Sequence, residues 1–439
     1  MKLLDQPSQP LLLKGGCLLD PASGRHENHD LLLAGGRIKA LAPNLNVPDA
    51  RVLDVAGKWV VPGLIDMHVH LREPGGEDAE TIATGTRAAV AGGFTAVAAM
   101  PNTVPVNDDQ SVTRFILAQA AREGVARVYP IGCVTKGSSG RELTEMGNQV
   151  EAGCVAFSDD GKPVASAQVM RRALEYAGVF GLPIIDHCED PTLAAGAVMN
   201  EGAVSTALGL RGMPDAAEEV MVDRNIRLAG LTGGRVHIAH ISTRGAIESV
   251  RLGKATGVRV TAEVTPHHLL LTEEAVRGYD TDFRMNPPLR SEADRAACVA
   301  GLVDGTIDAI ATDHAPHARE FKNVEFNAAP NGVIGLETAI PVLMDRLVAT
   351  GLLAPARLVE ALTVAPSRIL KLEGQGSLAV DSLADVTVLD PEHPFTVDAR
   401  RFRSLSRNTP FNGWRCRGSV TFTIVAGYLV HDGRGDFAG

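Results

Sequence analysis

The feature that most constrains the fold is a unit that recurs along the chain. A short apolar, β-branched run ends in polar residues, and a helical stretch follows. Eight runs of this kind occur, namely Val60–His70, Phe94–Pro101, Val128–Val134, Cys154–Gly161, Pro183–Asp190, Arg235–His240, Val258–His268 and Ile307–His317. They are almost continuously apolar, as parallel strands buried on both faces are.

Between these runs, Glu77–Ala91 and Asp108–Arg122 carry apolar residues at helical spacing, and Ser291 opens a third stretch with a capping-box pattern that ends at Asp294. Strands that alternate with helices eight times over about 250 residues or a little more predict an α/β protein with a (β/α)₈ TIM-type barrel. A doubly wound open sheet is the alternative topology.

The two ends of the chain differ from its middle. Residues 10–60, and residues from about 374 onwards, contain short alternating runs broken by glycines. This pattern predicts small β elements with tight turns. Because neither end could bury a core alone, we expect one small β-sandwich domain built from residues 1–60 and 374–439, beside a barrel formed by residues 61–373.

The composition argues against several classes of protein. The 439 residues include 42 Lys and Arg against 52 Asp and Glu, a formal net charge of −10 without a basic run, so we expect no nucleic-acid partner. The chain has neither a signal-peptide pattern nor about 18 consecutive apolar residues, so we expect no membrane span. Six scattered cysteines without a CxxC motif are typical of reduced, buried thiols and indicate a cytoplasmic location.

Polar residues that a buried strand should avoid stand at the ends of seven of the eight runs. In a barrel these ends converge on one face, where active sites are built. In chain order, the residues are Asp66, His68, His70, Arg72, Asn102, Ser158, Asp159, Asp160, Asp186, His187, His240, His267, His268, Asp313, His314 and His317. Their clustering at strand ends predicts a catalytic or metal site.

His68 and His70 stand two residues apart, so on a strand both imidazoles face the same space. Neutral imidazole is a good ligand for zinc. A hydrogen-bonded structural pair is the alternative for an isolated HxH. Because His187, His240, Asp160 and Asp313 are expected at neighbouring strand ends, the pattern favours a metal site.

Several neighbouring residues leave a choice of roles. Of Asp159 and Asp160, one carboxylate should face the barrel centre while the other caps the following turn. Asp313 suits a general acid/base, a metal ligand or a partner for a histidine. Arg72 and Asn102 are candidate substrate anchors, although Arg72 could instead form a surface salt bridge. Cys188 follows His187 and is expected to point into the core.

Two segments resemble the signatures of dihydroorotases, a family of the amidohydrolase superfamily. The first is Asp66-Met-His-Val-His-Leu-Arg-Glu-Pro74, and the second is Ala311-Thr-Asp-His-Ala-Pro-His317, with Lys322 five residues further on. Similar motifs follow in the family's order at Met100–Thr103, Ser158–Gly161, Asp186–Glu189, Ile238–Ser242, Glu263–His268, Asn286–Pro288, Asn408–Phe411 and Gly427–Val430. The resemblance covers essentially the whole chain and is strongest to the type I dihydroorotases.

This resemblance implies reversible, zinc-dependent closure of N-carbamoyl-L-aspartate to dihydroorotate and water in pyrimidine (UMP) biosynthesis, with one or two Zn²⁺ ions per chain. It places His68 and His70 on one zinc and His187 and His240 on the second. Asp160 would bridge the two ions, in place of the carboxylated lysine of many relatives.

The resemblance also assigns the remaining site residues. Asp313 would be both a neighbour of the metal and the catalytic acid/base, whereas Arg72, Asn102, Asn286 and His317 would hold the substrate. Asn331 and Gly332 are expected in a loop that contacts the substrate. Many relatives carry an aromatic residue at the position of Asn331, so this loop is expected to differ from theirs.

Two other functions are alternatives. A different cyclic amide hydrolase, acting on hydantoins, dihydropyrimidines or allantoin, would leave Arg72 idle because those rings lack a carboxylate. A silent structural partner of aspartate transcarbamoylase is expected to have lost metal ligands, which this chain retains. The resemblance makes aspartate transcarbamoylase a candidate partner, and a homo-oligomer is expected. Residues 319–327 are in the position of a lid over the site.

Overall fold

The computed structural model describes residues 9–434. Its strands are β1 (Leu11–Asp20), β2 (Arg25–Ala34), β3 (Arg37–Ala42), β4 (Arg51–Asp54), β5 (Trp59–Pro62), β6 (Leu64–Val69), β7 (Phe94–Ala99), β8 (Arg127–Pro130), β9 (Pro183–Asp186), β10 (Met199–Asn200), β11 (Gly212–Met213), β12 (Arg235–Ile238), β13 (Val260–Val264), β14 (Ala309–Ile310), β15 (Val386–Thr396), β16 (Arg415–Val425) and β17 (Tyr428–Asp432).

The α-helices are α1 (Ile82–Ala91), α2 (Gln110–Glu123), α3 (Met146–Ala152), α4 (Ala167–Phe180), α5 (Ala203–Leu208), α6 (Ala216–Thr232), α7 (Arg244–Ala255), α8 (Pro266–Leu270), α9 (Glu292–Asp304), α10 (Arg319–Lys322), α11 (Ala339–Leu343), α12 (Pro355–Leu362) and α13 (Val364–Leu370). Short 3₁₀ turns cover Lys136–Ser138, Glu273–Gly278, Thr281–Phe283 and Ala399–Arg401, and a π turn, Met344–Val348, extends α11. Within residues 9–434, no helix has the length and apolar character needed to cross a membrane.

Parallel strands close into a barrel through the middle of the chain. Strands β6, β7 and β8 pair in that order, and β9, β12, β13 and β14 form a second parallel group. Phe157 bridges the two groups, because it pairs with Gly132 on one side and with Ile184 on the other. A parallel bridge between Val69 and His314 completes the ring. The predicted (β/α)₈ barrel is therefore confirmed, with helices packed around it.

The strands are shorter than the predicted runs, and three of the runs differ most from the prediction. The fourth, Cys154–Gly161, joins the barrel through Val155–Ser158, whose backbone exchanges hydrogen bonds with Pro130 and Gly132 on one side and with Pro183 and Ile185 on the other. The first run is interrupted at Gly63, which packs so closely against Thr95 that a Cβ would lie 2.1 Å from Thr95 Oγ1. The residues before Gly63 belong to β5, in another sheet. The seventh ends at Val264, because Thr265 caps α8 by accepting a hydrogen bond from the His268 amide. His267 and His268 therefore lie on a helix.

A β-rich unit joins the two ends of the chain beside the barrel. Its eight strands form one sheet in the order β17-β16-β15-β5-β1-β2-β3, with β4 paired to β1. The ends meet where β5 and β15 pair antiparallel, with Val60 opposite Val388. One buried apolar cluster holds this sheet together and includes Leu13, Leu31, Val60, Val386 and Phe422. We propose on this basis the division into residues 61–373 and a composite unit of residues 1–60 and 374–439, of which residues 1–8 and 435–439 lie outside the described residues.

Helix ends follow local sequence signals. The Ser291 hydroxyl caps α9 by accepting a hydrogen bond from the Asp294 amide at 3.3 Å, as the capping pattern predicts. The predicted helices Glu77–Ala91 and Asp108–Arg122 correspond to α1 and α2, which begin later because Thr81 and Asp109 are their N-caps. The helices form the outer layer, so the polar strand ends open onto one face of the barrel.

Candidate active site

A cavity of about 220 Å³ opens at the carboxyl ends of the barrel strands. It is lined by His70, Arg72, Asn102, Asp160, Gly161, His187, His240, Asn286, Asp313, Ala315, His317, Asn331 and Gly332. Eleven of the twelve residues that the sequence predicted for the site are in this lining. The twelfth, His68, is fully buried beneath it. The fold thus brings the predicted residues together from segments more than 200 residues apart.

Histidines and one aspartate form two groups that could each hold a metal ion. The first comprises His68, His70 and Asp160, and the second comprises Asp160, His187 and His240. Within each group, the candidate ligand atoms all lie within 4.8 Å of one another. Since Asp160 belongs to both groups, its carboxylate stands where it could bridge two ions.

Buried polar atoms without hydrogen-bond partners support a metal at this position. Nε2 of His68, Oδ1 of Asp160 and Nδ1 of His240 are buried and unpartnered within residues 9–434. Such atoms are costly to bury unless they find a partner. Imidazole nitrogens and a carboxylate oxygen are a donor set that suits a divalent transition metal. The residues present therefore fit the group that the sequence implied.

The charges around Asp160 also favour a bound cation. Burial opposes ionisation of this carboxyl, but His68, His240 and His70 hold its pKa well below the usual range. Conversely, burial disfavours charge on His68, yet the Asp160 and Glu263 carboxylates raise its pKa well above the usual value. The site holds negative charge that a proton or a metal ion can compensate.

The two histidines of the HxH motif are oriented by different partners. Nδ1 of His68 lies 2.6 Å from Oε1 of Glu263, and Nδ1 of His70 lies 2.8 Å from Oδ1 of Asn102. Each Nε2 is consequently turned towards Asp160, at 3.4 and 3.5 Å from its two carboxylate oxygens. Partners of this kind fix the tautomer and the orientation of metal-binding imidazoles.

Asp313 lies between the HxH pair and the open cavity. Its Oδ1 is 3.0 Å from Nε2 of His70 and 3.6 Å from Nε2 of His68. Its backbone has φ +47°, and Arg72 and His240 have φ +61° and +30°. This conformation is uncommon for residues other than glycine and often marks functional sites. At Asp313 it brings the carboxylate beside the HxH pair and into the wall of the cavity.

Arg72 is the cation that faces this cavity at the HxH side. Its Nε donates a hydrogen bond to the carbonyl oxygen of Pro316 at 3.1 Å, which fixes the plane of the guanidinium. Burial lowers the pKa of Arg72, and the nearest compensating charges are Asp313 and Asp160. Its position in the cavity wall rather than in a surface salt bridge suits it to recognise an anionic ligand.

The sequence of the chain matches one family of known proteins. Residues 57–246 match the family model described as Dihydro-orotase-like. The chain is 55% identical over 424 residues to a dihydroorotase from Pelotomaculum thermopropionicum, covering 97% of this chain and 99% of that protein. It is also 55% identical over 428 residues to a dihydroorotase from Anaeromyxobacter dehalogenans, covering 97% and 98%.

The chain belongs to the dihydroorotase family. Solved structures agree on the fold. L-hydantoinase from Arthrobacter aurescens superposes on this chain with a TM-score of 0.88 at 24% identity. The superposition covers 97% of this chain and 96% of the hydantoinase chain. Dihydropyrimidinase from Brevibacillus agri gives 0.83 at 21% identity and covers 96% and 95%. This likeness confirms the barrel with an additional β-rich domain.

Within this dihydroorotase-family fold, three loops that carry Asn286, His317 and Asn331 form another part of the cavity wall. His317 Nε2 lies 2.8 Å from the Asn331 carbonyl oxygen, and burial and the Arg72 charge lower the pKa of His317 to about 3. His317 is therefore neutral near pH 7. Asn286 Nδ2 donates to Glu189 Oε2 at 2.6 Å. Gly332 has φ +132°, and a Cβ there would meet Nε2 of His317 at 2.9 Å.

The geometry separates the two neighbouring aspartates. Asp160 faces the histidines, whereas the Asp159 carboxylate accepts hydrogen bonds from the amide and hydroxyl of Thr135. Burial raises the pKa of Asp159 to about 6. The expectation that Asp159 caps the turn after it is therefore wrong, because its side chain instead holds the loop that follows β8. Cys188 is buried, as expected of a core residue.

Two residues next to the site received no role from the sequence. Glu263, on β13, is fully buried against His68. Glu189 contacts both His187 and Asn286. A lone glutamate inside an otherwise apolar strand was the available signal for Glu263, since an unpaired charge is rarely buried. Glu189 gave no such signal, because it follows the strand in a loop.

Proposed function

We propose that this chain catalyses the dihydroorotase reaction, the reversible closure of N-carbamoyl-L-aspartate to (S)-dihydroorotate and water in de novo pyrimidine biosynthesis. We further propose that it is of the type I class. One observation carries the proposal: two metal-binding groups share Asp160, with Asp313 beside them and Arg72 in the same cavity wall. The 55% identity to proteins named dihydroorotase supports it.

The proposed metal is zinc, with one or two ions per chain. His68 and His70 would hold one ion, His187 and His240 the other, and Asp160 would lie between them. Nitrogen and oxygen donors of this kind suit Zn²⁺. When bound, zinc lowers the pKa of a coordinated water from about 15.7 to about 7 and polarises the carbonyl under attack.

The proposed acid/base is Asp313. Burial opposes its ionisation, but its hydrogen bond with His70 and the charges of the neighbouring histidines lower its pKa, so the resting carboxyl is ionised. In ring opening, Asp313 accepts a proton from the attacking water at a carboxylate oxygen. It then returns this proton to the leaving ring nitrogen. Ring closure uses the same steps in reverse.

The proposed substrate contacts hold the ring in place for attack. Arg72 would pair its guanidinium with the carboxylate of dihydroorotate. Asn102, Asn286 and neutral His317 would add uncharged hydrogen bonds, and the loop at Asn331 and Gly332 would close the other side. Fixed orientation contributes to the rate because it removes the entropy cost of aligning the reacting groups.

The other cyclic amide hydrolases are the second candidate. The fold's likeness to a hydantoinase and a dihydropyrimidinase favours them. Their rings lack the carboxylate that Arg72 is positioned to bind. Within residues 9–434, the residues that line the cavity also include no lysine of the type that is carboxylated in many relatives. These two features favour dihydroorotate.

The proposed function also implies partners and a cellular location. We propose a cytoplasmic homo-oligomer whose candidate partner is aspartate transcarbamoylase. A silent structural role is disfavoured because the four histidines and both aspartates of the site are retained. Comparing the mass in solution with and without added aspartate transcarbamoylase would test both associations.

The experiment that tests the function follows the loss of dihydroorotate by the zinc-loaded protein, with dihydrouracil, hydantoin and allantoin in parallel. A chelated sample is the metal control. We expect turnover of dihydroorotate above the other rings and its loss on chelation. Faster turnover of dihydrouracil or allantoin would replace the proposed substrate, and zinc-bound protein that opens no ring would contradict enzymatic activity of the isolated chain.

A further inference from the structure

Lys322 is a buried cation just outside the cavity. Its side chain lies at the end of α10, and the residue is only 6% exposed. Nζ donates hydrogen bonds to three backbone carbonyl oxygens, those of Gly332 at 3.0 Å, Pro330 at 3.1 Å and Arg284 at 3.3 Å. All three ammonium hydrogens thus have acceptors, and the acceptors belong to two separate loops.

This ammonium has no ion-pair partner within residues 9–434: the residues that form salt bridges there do not include Lys322. Burial lowers its pKa to about 8, and the charges of Asp282 and Asp280 oppose this shift. Burying a charge without an ion-pair partner costs free energy. Backbone carbonyl oxygens are the only hydrogen-bond acceptors that Nζ has within residues 9–434, so the contact depends on the position of the loops and in turn constrains them.

The two loops that meet at Lys322 carry residues of the proposed substrate wall. One loop runs from Arg284 to Asn286, and the other contains Asn331 and Gly332. The Gly332 amide donates to the Arg284 carbonyl at 3.0 Å, and Arg284 Nε donates to Asn331 Oδ1 at 3.0 Å. Each loop is therefore held to the other through groups that Lys322 also binds.

The same connections reach His317. The Asn331 carbonyl oxygen is 2.8 Å from His317 Nε2. The Gly332 carbonyl oxygen accepts from Asn408 Nδ2 at 3.1 Å as well as from Lys322. Lys322 itself does not line the cavity. Its effect on a bound molecule must therefore pass through the residues that it holds.

We propose that Lys322 is a positioning residue that fastens the loops at Arg284–Asn286 and Pro330–Gly332, and so sets the geometry in which Asn286, His317, Asn331 and Gly332 bind the substrate. This inference rests on the proposed function of the cavity. It assigns Lys322 to substrate binding rather than to the chemical step, because its ammonium bonds only backbone carbonyl oxygens of the two loops and Lys322 belongs to neither candidate metal group.

The hydrogen bonds of Lys322 also involve residues 319–327, the segment that the sequence predicts as a lid. Lys322 lies within the segment of residues 319–327 and has its side chain anchored under the substrate wall. Phe326, in the same segment, accepts a hydrogen bond from Arg284 through its carbonyl oxygen. Movement of residues 319–327 would have to break the hydrogen bonds of Lys322 and of Phe326. The same two loops therefore also hold this segment in place.

The test compares steady-state kinetics of the zinc-loaded wild type with Lys322→Met, which has a similar length but no donor. We expect KM for dihydroorotate to rise about tenfold or more while kcat stays within about threefold, as for loss of binding that is uniform along the reaction. Lys322→Arg, which keeps the charge and N–H donors, should keep KM closer to the wild type. Lys254→Met is the control, because it removes another lysine that bonds a carbonyl oxygen, that of Gly305, and that pairs with Asp308 outside the cavity lining.

A second measurement does not depend on activity. Amide exchange in the Lys322→Met protein without substrate should be faster at Gly332 and Ile334, and unchanged in the barrel strands. An unaltered KM together with unaltered exchange at these amides would overturn the proposal, as would a loss confined to kcat. If Lys322→Met does not fold, Lys322→Leu, which also lacks a donor, replaces it with the same criteria. Failure of the wild type to open dihydroorotate would instead contradict the proposed function, while the exchange result would still decide whether Lys322 fastens the loops.

Discussion

Nδ1 of His68 lies 2.6 Å from Oε1 of Glu263, and neither side chain is exposed to solvent. The second carboxylate oxygen of Glu263 is 3.3 Å from Nε2 of His237 on β12. Burial opposes ionisation of Glu263, but His68 and His237 hold its pKa well below the usual range. An ionised carboxylate therefore directs the remaining nitrogen of His68 towards Asp160.

Glu263→Gln should weaken metal binding because a neutral amide orients His68 less strongly and withdraws the negative charge behind it. We expect the affinity for Zn²⁺ to fall by about 10- to 100-fold, the usual effect of losing such a partner. Competition with a chromophoric chelator measures it. Glu248→Gln, an exposed change on α7, is the control, and equal affinities of the two variants would show that Glu263 does not act on the metal.

Asp313→Asn should remove the acid/base while leaving the metal-binding groups in place. An amide cannot accept the proton from water, so kcat for dihydroorotate is expected to fall by about 10²- to 10⁴-fold. Metal content by elemental analysis should stay at the wild-type level. Asp223→Asn, an exposed change on α6, should have no effect. A variant that keeps most of its kcat would assign the proton transfer to another group.

Arg72→Lys should discriminate between ring substrates. Lysine keeps the charge but cannot form the two parallel hydrogen bonds that a guanidinium gives to a carboxylate. We expect kcat/KM for dihydroorotate to fall by about 10- to 100-fold, since hydrogen bonds to charged groups contribute about 1.5–3 kcal/mol. Any turnover of dihydrouracil, which lacks the carboxylate, should change by less than about threefold. Equal losses for both rings would mean that Arg72 supports the site without reading the carboxylate.

Because the carboxyl of Glu337 is buried, we expect its contribution to the free energy of unfolding to fall as the pH rises towards neutrality. Burial raises the pKa of this carboxyl to about 7, although the Arg403 and Ser404 amides donate to it. Between its ordinary pKa, about 4.3, and about 7, the folded state binds more protons than the unfolded chain, so this contribution to stability is lost as pH rises through that range. Thermal unfolding at pH 5 and pH 8 should show a smaller difference for Glu337→Gln than for the wild type.

The control for this last prediction is Glu360→Gln, since Glu360 lies on α12 with a partly exposed side chain that pairs with Arg357. Its difference in Tm between pH 5 and pH 8 should match that of the wild type. If the difference in Tm between pH 5 and pH 8 is the same for Glu337→Gln as for the wild type, another buried carboxyl takes up the proton. Asp159, with a pKa of about 6, is the next candidate.

Local patterns in the sequence determined the barrel and most of the residues around its cavity. Buried parallel strands must be apolar along their length, so polar residues at their ends were visible without a structure. The i, i+2 spacing of His68 and His70 placed both imidazoles on one face, because side chains alternate along a strand. Strand limits were less well predicted, since Gly63 and the Thr265 cap act through contacts and local geometry that the apolar pattern does not contain.

Only the tertiary structure decided which buried groups support those residues. Asp159 and Asp160 are adjacent, and only the position of the loop at Thr135 shows which one faces the metal groups. Glu263 is 195 residues from His68 along the chain, and Lys322 is 38 residues from Arg284. The sequence by itself determined which side chains reach the cavity, because strand periodicity is local. The structure decided what holds them there, because hydrogen bonds between distant segments form only once the barrel has closed.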